Sequence, residues 1–289
     1  MKKRSRKFLI LSAFLALLIV GLLRCVSFGP PDTSKAFVGH TPPTFHTYPV
    51  LGRDIFTAEV GPKDAPPVLY IHGSPGSWDD AANLMTDPQL VERSHIIAID
   101  RPGFGKSGPG QLETSLARQA AMLKGVLDQA APGEKAIVVG HSLGGPVAAR
   151  LAMDAPGSVA GLVIVAGSID PGQEKTTWYQ KAARWPVVRS IVPKVLILAN
   201  DEIRPLKGEL QQMMPLWSGI RMPVEVIQGD DDALVPPENA DFAERMLTGA
   251  SVHVMRIPKQ GHLIPWERPD LIRDAIVRLL DGEGRGSAV

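Results

Sequence analysis

The stretch Ala136-Ile137-Val138-Val139-Gly140-His141-Ser142-Leu143-Gly144-Gly145-Pro146 decides the fold. Its first four residues are an apolar, β-branched run of the kind buried on both faces of a sheet, and Leu143 to Asp154 reads as a helix. Between them Gly140-His141-Ser142-Leu143-Gly144 fits G-x-S-x-G, in the strand-turn-helix setting that this motif needs. A turn so sharp strains the residue at its apex and leaves room only for glycine beside it. It raises the Ser142 hydroxyl at the carboxyl edge of a sheet, near the positive end of the next helix.

Outward from this turn the chain repeats the same pattern. Short apolar runs recur at Val68 to Ile71, His95 to Asp100, Gly161 to Ala166, Pro223 to Gln228 and Ser251 to Ile257. Helical stretches fall at Trp78 to Met85, Leu112 to Gln129, Asn239 to Leu247 and Pro269 to Leu280. Strands alternating with helices at this spacing predict an α/β fold with a mostly parallel central sheet flanked by helices. The interval Ser168 to Met222 breaks the alternation and reads as an inserted helical cap over 168–222. It holds three of the five tryptophans, Trp178, Trp185 and Trp217.

A serine hydroxyl is a poor nucleophile until a base takes its proton, and the base needs a carboxylate to fix its tautomer. The loop after the Pro223 strand supplies Gly229-Asp230-Asp231-Asp232-Ala233-Leu234-Val235-Pro236, and the loop after the Ser251 strand supplies Gly261-His262-Leu263. Ser142, Asp232 and His262 then follow the order nucleophile, acid, base.

On these residues, together with His72-Gly73-Ser74-Pro75-Gly76 and Asp100-Arg101-Pro102-Gly103-Phe104-Gly105, the chain from about Tyr48 to Leu280 resembles the serine-dependent α/β-hydrolase superfamily. The resemblance implies an acyl-enzyme mechanism with Ser142 as nucleophile, His262 as general base and Asp232 as the acid. Asp232 is selected over Asp230 and Asp231 by its spacing from Gly229 and Val235-Pro236; some members place the acid one strand earlier, where this chain has Asp170. It further implies an oxyanion hole formed by the main-chain N–H groups of Leu143 and Ser74. Carboxylic ester hydrolysis on a small or medium apolar acyl substrate is the expected reaction, with no cofactor. Carbon–carbon bond hydrolysis, perhydrolysis, thioester hydrolysis and proline-type aminopeptidase chemistry use the same triad and stay open, as does a non-catalytic, membrane-tethered binding module.

Trp78, Trp178, Tyr179, Trp185 and Trp217 are candidates for an apolar wall around the substrate, with core packing as the competing reading for each. His72 and His141 lie in no metal-ligand spacing, so no metal is expected. Gly103-Phe104-Gly105-Lys106-Ser107-Gly108 imitates a phosphate-binding loop, but Asp100 stands where glycine is needed and no helix opens within the glycines, so no nucleotide is expected.

Six of the 31 basic side chains, Lys2, Lys3, Arg4, Arg6, Lys7 and Arg24, fall in the first 29 residues without an acid, leaving 25 basic against 30 acidic groups in the rest. That balance gives nucleic-acid binding no electrostatic support. The basic cluster followed by the apolar run Phe8 to Leu23 predicts a signal anchor or transmembrane helix over 1–28, and the proline-bearing 29–47 a tether to a hydrolase domain at 48–289. By the positive-inside rule the domain faces outward, in a bacterium as a single-pass inner-membrane protein with a periplasmic catalytic domain; secretion after cleavage is the alternative. The single cysteine, Cys25, follows Arg24 rather than the small residue that lipidation requires.

Overall fold

The computed structural model describes residues 35–175 and 178–282. The predicted strands appear as β3 (Pro67–Ile71), β4 (His95–Ile99), β5 (Ala136–His141), β6 (Val159–Val165), β7 (Val224–Gly229) and β8 (Val252–Ile257). Every residue of β3, β4, β5 and β7 is buried, which is why these strands read as continuous apolar runs rather than alternating ones. They belong to one eight-stranded sheet of order β1-β2-β4-β3-β5-β6-β7-β8, parallel from β4 to β8.

The two strands at the other edge were not expected. β1 (Thr44–Val50) and β2 (Arg53–Val60) form an antiparallel hairpin, and β2 pairs antiparallel with β4 through Thr57 and Ile99. The end of the segment read as a tether is therefore sheet, and Phe37 packs on Trp78 ahead of it. β1 is an edge strand that mixes polar with apolar residues and leaves Thr44, Phe45, Thr47 and Pro49 exposed, so it carries no continuous apolar run. The hairpin turn is Leu51-Gly52, both at positive φ (50° and 76°), and lacks the Asn-Gly or Asp-Gly that would announce it.

β3 is flanked by β4 on one side and β5 on the other, so the chain reverses its direction of travel across the sheet between β4 and β5. Such a switch point leaves a crevice beyond the carboxyl ends of the two central strands. β6, β7 and β8 are then added outward from β5, so the loops after β3, β5, β7 and β8 share one edge.

Two apolar layers sandwich the sheet. One joins it to α1 (Leu116–Ala130), α2 (Gly144–Asp154) and α7 (Glu238–Met246). The other joins it to the 78–91 turns and to α8 (Pro269–Leu280), through residues such as Leu84, Leu90, Ile272 and Ile276. The cap contributes α3 (Trp178–Ala182), α4 (Pro186–Ile191), α5 (Lys194–Ile203) and α6 (Leu206–Met213), followed by a 3-10 turn, Met214–Gly219. Leu206, Leu210, Met213 and Trp217 sink into the first core layer, whereas α4 buries none of its residues.

The predicted anchor and the start of the tether lie outside the described residues. Among the described residues no helix is long and apolar enough to cross a membrane.

Candidate active site

Ser142 sits between β5 and α2 with φ at 54°, a left-handed conformation that costs an L-residue roughly 1–2 kcal/mol. Its N–H still donates to Val165 O (2.9 Å) in line with the β6 ladder, while its carbonyl accepts from Gly145 N (3.0 Å) to open α2. Both ends of the residue are thus fixed by regular structure, and the strain is carried at the apex. Gly144 is dictated by close approach: a methyl group there would lie 2.2 Å from Ile71 O, at the end of β3. The loop after β3 in turn lies against the serine, since a methyl on Gly73 would be 3.0 Å from Ser142 Cβ and 3.5 Å from Oγ. Ser74 and Leu143 directly follow the two residues in contact, Leu143 at the amino-terminal cap of α2, where helix N–H groups lack internal partners.

Asp232 and His262 meet across β7 and β8, Nδ1 of the histidine lying 2.7 Å from Oδ2 of the carboxylate. The other oxygen, Oδ1, accepts from Leu234 N (2.9 Å) and Val235 N (2.8 Å). Burial alone would raise the Asp232 pKa, but the hydrogen bonds from His262, Val235 and Leu234 outweigh it and hold the carboxylate below its usual range. Asp170 instead accepts from Gly172 N (2.7 Å), and its own N–H donates to Asn239 Oδ1 (2.8 Å), so the acid beside His262 is Asp232.

His141 braces the histidine loop. Its Nε2 lies 3.2 Å from His262 O, its ring 4.9 Å from the His262 ring, and the edge of Trp266 meets it at 5.6 Å. Burial first, then the neighbouring His262, pushes its pKa down to about 3, so at neutral pH it is uncharged and donates through Nε2–H.

A second framework, not anticipated from the motifs, holds the loop after β3. Arg101, fully buried at the end of β4, donates from Nε to His72 O (2.9 Å) and from Nη2 to Gly73 O (2.7 Å). Its Nη1 and Nη2 grip the Glu202 carboxylate at 2.5 and 3.1 Å, a fork-to-fork pair that is buried on both sides. Glu202 belongs to cap helix α5, and its Oε2 also accepts from Ser74 Oγ (2.6 Å). His72 completes the framework, accepting from Arg101 N at Nε2 (2.9 Å) and donating from Nδ1 to Gly73 O (2.7 Å). A second cap residue, Glu209 of α6, accepts from Leu116 N (2.8 Å) at the start of α1.

Asp100 plays a comparable part in the turn that imitates a phosphate loop. Its carboxylate accepts from Trp78 N (2.8 Å) and Lys106 N (2.7 Å), and a methyl on Gly105 would collide with it at 2.1 Å. Gly105 thus makes room for a protein carboxylate.

A family model described as the alpha/beta hydrolase fold matches residues 66–188. A 2-hydroxy-6-oxononadienedioate/2-hydroxy-6-oxononatrienedioate hydrolase from Pseudomonas sp is 27% identical over 253 residues, covering 74% of this chain and 87% of that protein. The crystal structure of a membrane phospholipase A, described as a novel bacterial virulence factor, superposes with a TM-score of 0.66 at 21% identity, covering 99% of this chain and 100% of that one. The chain has the α/β-hydrolase fold. A higher identity is confined to one stretch: 43% over 99 residues with a dihydrolipoyllysine-residue acetyltransferase component of the acetoin cleaving system of Cupriavidus necator, of which this hydrolase spans a quarter.

The expected aromatic wall of this α/β-hydrolase does not form as drawn. Trp217 is fully buried, edge-on to Phe242 at 5.4 Å, and belongs to the core. Trp78 is buried against Phe37 and Phe45, with ring centroids 6.3 and 5.5 Å away. Trp178 and Trp185 are 79% and 67% exposed, on the outer side of the cap. Tyr179 falls on α3, and its side chain lies outside the described residues. Aromatic residues are large enough to serve a core, a surface or a pocket equally well, so their type alone did not assign them. Arg101 stood inside a quoted block without a role, and Glu202 carried only one signal, an acid on a buried helix face.

Proposed function

We propose that this hydrolase cleaves carboxylic esters through an acyl-enzyme intermediate. Ser142 Oγ attacks the acyl carbonyl while His262 takes its proton, and the N–H groups of Leu143 and Ser74 stabilise the oxyanion. Collapse of the tetrahedral intermediate breaks the ester bond and passes that proton to the leaving alcohol. Water, deprotonated by His262, then attacks the acyl group and regenerates Ser142. Asp232, kept ionised chiefly by its donors His262, Val235 and Leu234, holds Nδ1–H toward itself and stabilises the imidazolium formed in each step. No cofactor is required for any of these transfers.

The observation that carries this reading is the convergence of a strained Ser142, a Gly73 contact and the 2.7 Å Asp232–His262 pair on one sheet edge. Its test is labelling by a fluorophosphonate probe together with hydrolysis of a p-nitrophenyl ester series, in the full chain and in Ser142→Ala. Labelling and turnover lost in the variant support the reading; a folded protein that neither labels nor turns over ends it. Carbon–carbon bond cleavage is the second reading, favoured by the 27% identity with the hydroxy-oxononadienedioate hydrolase across most of its length.

We further propose that residues 1–28 anchor the protein in the inner membrane with its catalytic domain outside the cytoplasm. The support is the basic cluster ahead of the Phe8 to Leu23 run. Membrane fractionation and protease accessibility of the domain in intact spheroplasts test this, and a domain found in the soluble cytoplasmic fraction refutes it.

A further inference from the structure

A cavity of about 330 Å³ lies within the cap, and its chemistry is the opposite of an apolar wall. Lys175, Lys181, Arg184, Arg204 and Lys207 line it, with Glu174 as the acid among them. None of the five cations makes an ion pair within 4 Å among the described residues. Glu174 offsets one of them: burial and Asp170 raise its pKa, while the Ser168 hydrogen bond and the charge of Lys207 lower it, and the wall still holds four cations in excess. All five are solvent-exposed, which screens their mutual repulsion, but they share one concavity, and an anion placed there relieves the repulsion that remains.

The position of the cavity ties it to the active site. Glu174 accepts a hydrogen bond from the Ser168 hydroxyl, and the Ser168 N–H donates to Ser142 O (3.3 Å). On the other side Ile203 and Arg204 line the cavity at the end of α5, immediately after Glu202, which binds Ser74. Its wall is thus linked through Ser168 to the main chain of Ser142 and is adjacent along α5 to the residue that binds Ser74.

We propose that this cavity is a subsite for a phosphate group carried by the substrate, so that the preferred esters are phosphorylated ones. The proposal rests on the ester-hydrolase reading above. A single carboxylate is satisfied by one guanidinium fork, whereas two arginines and three lysines suit the several oxygens and greater charge of a phosphate. A free phosphate bound beside a neutral substrate would use the same contacts, and the experiment separates the two.

The full-length protein, in neutral detergent at one ionic strength, is given two short-chain esters with the same acyl group, 1-acylglycerol and 1-acylglycerol 3-phosphate. The expected result is a kcat/KM at least about tenfold higher for the phosphorylated ester, the worth of one charge-assisted hydrogen bond. Arg184→Gln/Arg204→Gln should remove that preference while changing kcat/KM for the neutral ester less than about threefold, a difference within the range of surface substitutions. Equal rates on the two esters in the wild type overturn the proposal, as does a parallel loss on both in the variant. Inorganic phosphate that binds without any preference between the esters overturns it too, as a free-anion site. If neither ester is cleaved, fluorophosphonate labelling of Ser142 judges the hydrolase reading separately. Calorimetric binding of glycerol 3-phosphate to the Ser142→Ala protein then judges the subsite: binding lost in the added double substitution supports it, and no binding refutes it.

Discussion

The Asp232–His262 side of the site and the Ser74 side differ in how far the chain must travel to build them. Asp232 takes its main-chain donors from two and three residues away, and its histidine from the next strand. The proposed oxyanion loop depends on Arg101, just beyond β4, and on Glu202 from the cap, 128 residues beyond Ser74. The acid–base half is therefore a property of the sheet edge alone. The oxyanion half exists in this form only when the cap is seated, because a cap carboxylate neutralises the buried arginine that holds the loop.

The sharpest break of that contrast is at the proposed nucleophile, which both halves would serve. Ser142→Ala should lower kcat on p-nitrophenyl esters by about 10⁶-fold with little change in KM, and should not unfold the protein. Retention of a hundredth of the activity would mean that another group is the nucleophile and that the two halves do not converge on Ser142.

Asp232→Asn probes the local half. A neutral amide beside His262 favours the wrong tautomer, and kcat should fall by about 10⁴-fold with the fold intact. The same pair carries a pH signature. Since the folded Asp232 pKa lies below its ordinary value, its stabilising contribution is present in full above the ordinary carboxylate range and is lost as pH falls through the folded value. The stability gap between wild type and Asp232→Asn, measured by denaturant unfolding, should therefore be constant at neutral pH and narrow in acid. A gap that widens in acid would contradict the hydrogen-bond pattern given for this carboxylate.

Glu202→Gln probes the long-range half. Arg101 would be left buried without a charged partner, a change that typically costs about 3–5 kcal/mol. Catalysis should suffer by positioning, with kcat per fluorophosphonate-titrated site falling about 10- to 100-fold and KM nearly constant. Loss of stability with kcat per titrated site unchanged would make Glu202 a purely structural residue and dissolve the coupling between cap and oxyanion loop.

What was legible beforehand follows the same division. Six strands and most helices of the main domain were read within a few residues, because burial on both faces leaves a continuous apolar run and a helix leaves its own period. The turn of Ser142 and the Asp232 and His262 loops were legible because each is a local pattern at the end of such a strand. The β1–β2 hairpin was not, since an edge strand mixes polar and apolar residues and Leu51-Gly52 carries a weak turn signal. Neither was the Arg101–Glu202 pair, which joins residues 101 positions apart by charge alone. Nor were the destinations of the tryptophans, because a Trp at helical spacing looks alike whether it meets Phe242 or solvent.

Ser74→Ala makes the finest cut. The proposed donor at this position is the main-chain N–H, which the substitution keeps; what is lost is the hydroxyl that reaches Glu202 Oε2 at 2.6 Å. A hydrogen bond to a charged group is worth about 1.5–3 kcal/mol, but Glu202 retains the Arg101 fork, so the carboxylate is not stranded. The expected loss in kcat is less than about tenfold, well short of the 10²–10³ seen when a donor to the oxyanion is itself removed. Its value lies in the pairing with Glu202→Gln. If the hydroxyl acts through the cap carboxylate, the double variant should be little worse than Glu202→Gln alone, a non-additivity typical of contacting residues. Additive losses would mean that Ser74 and Glu202 act on the oxyanion loop independently, and that the cap steadies the loop through Arg101 only.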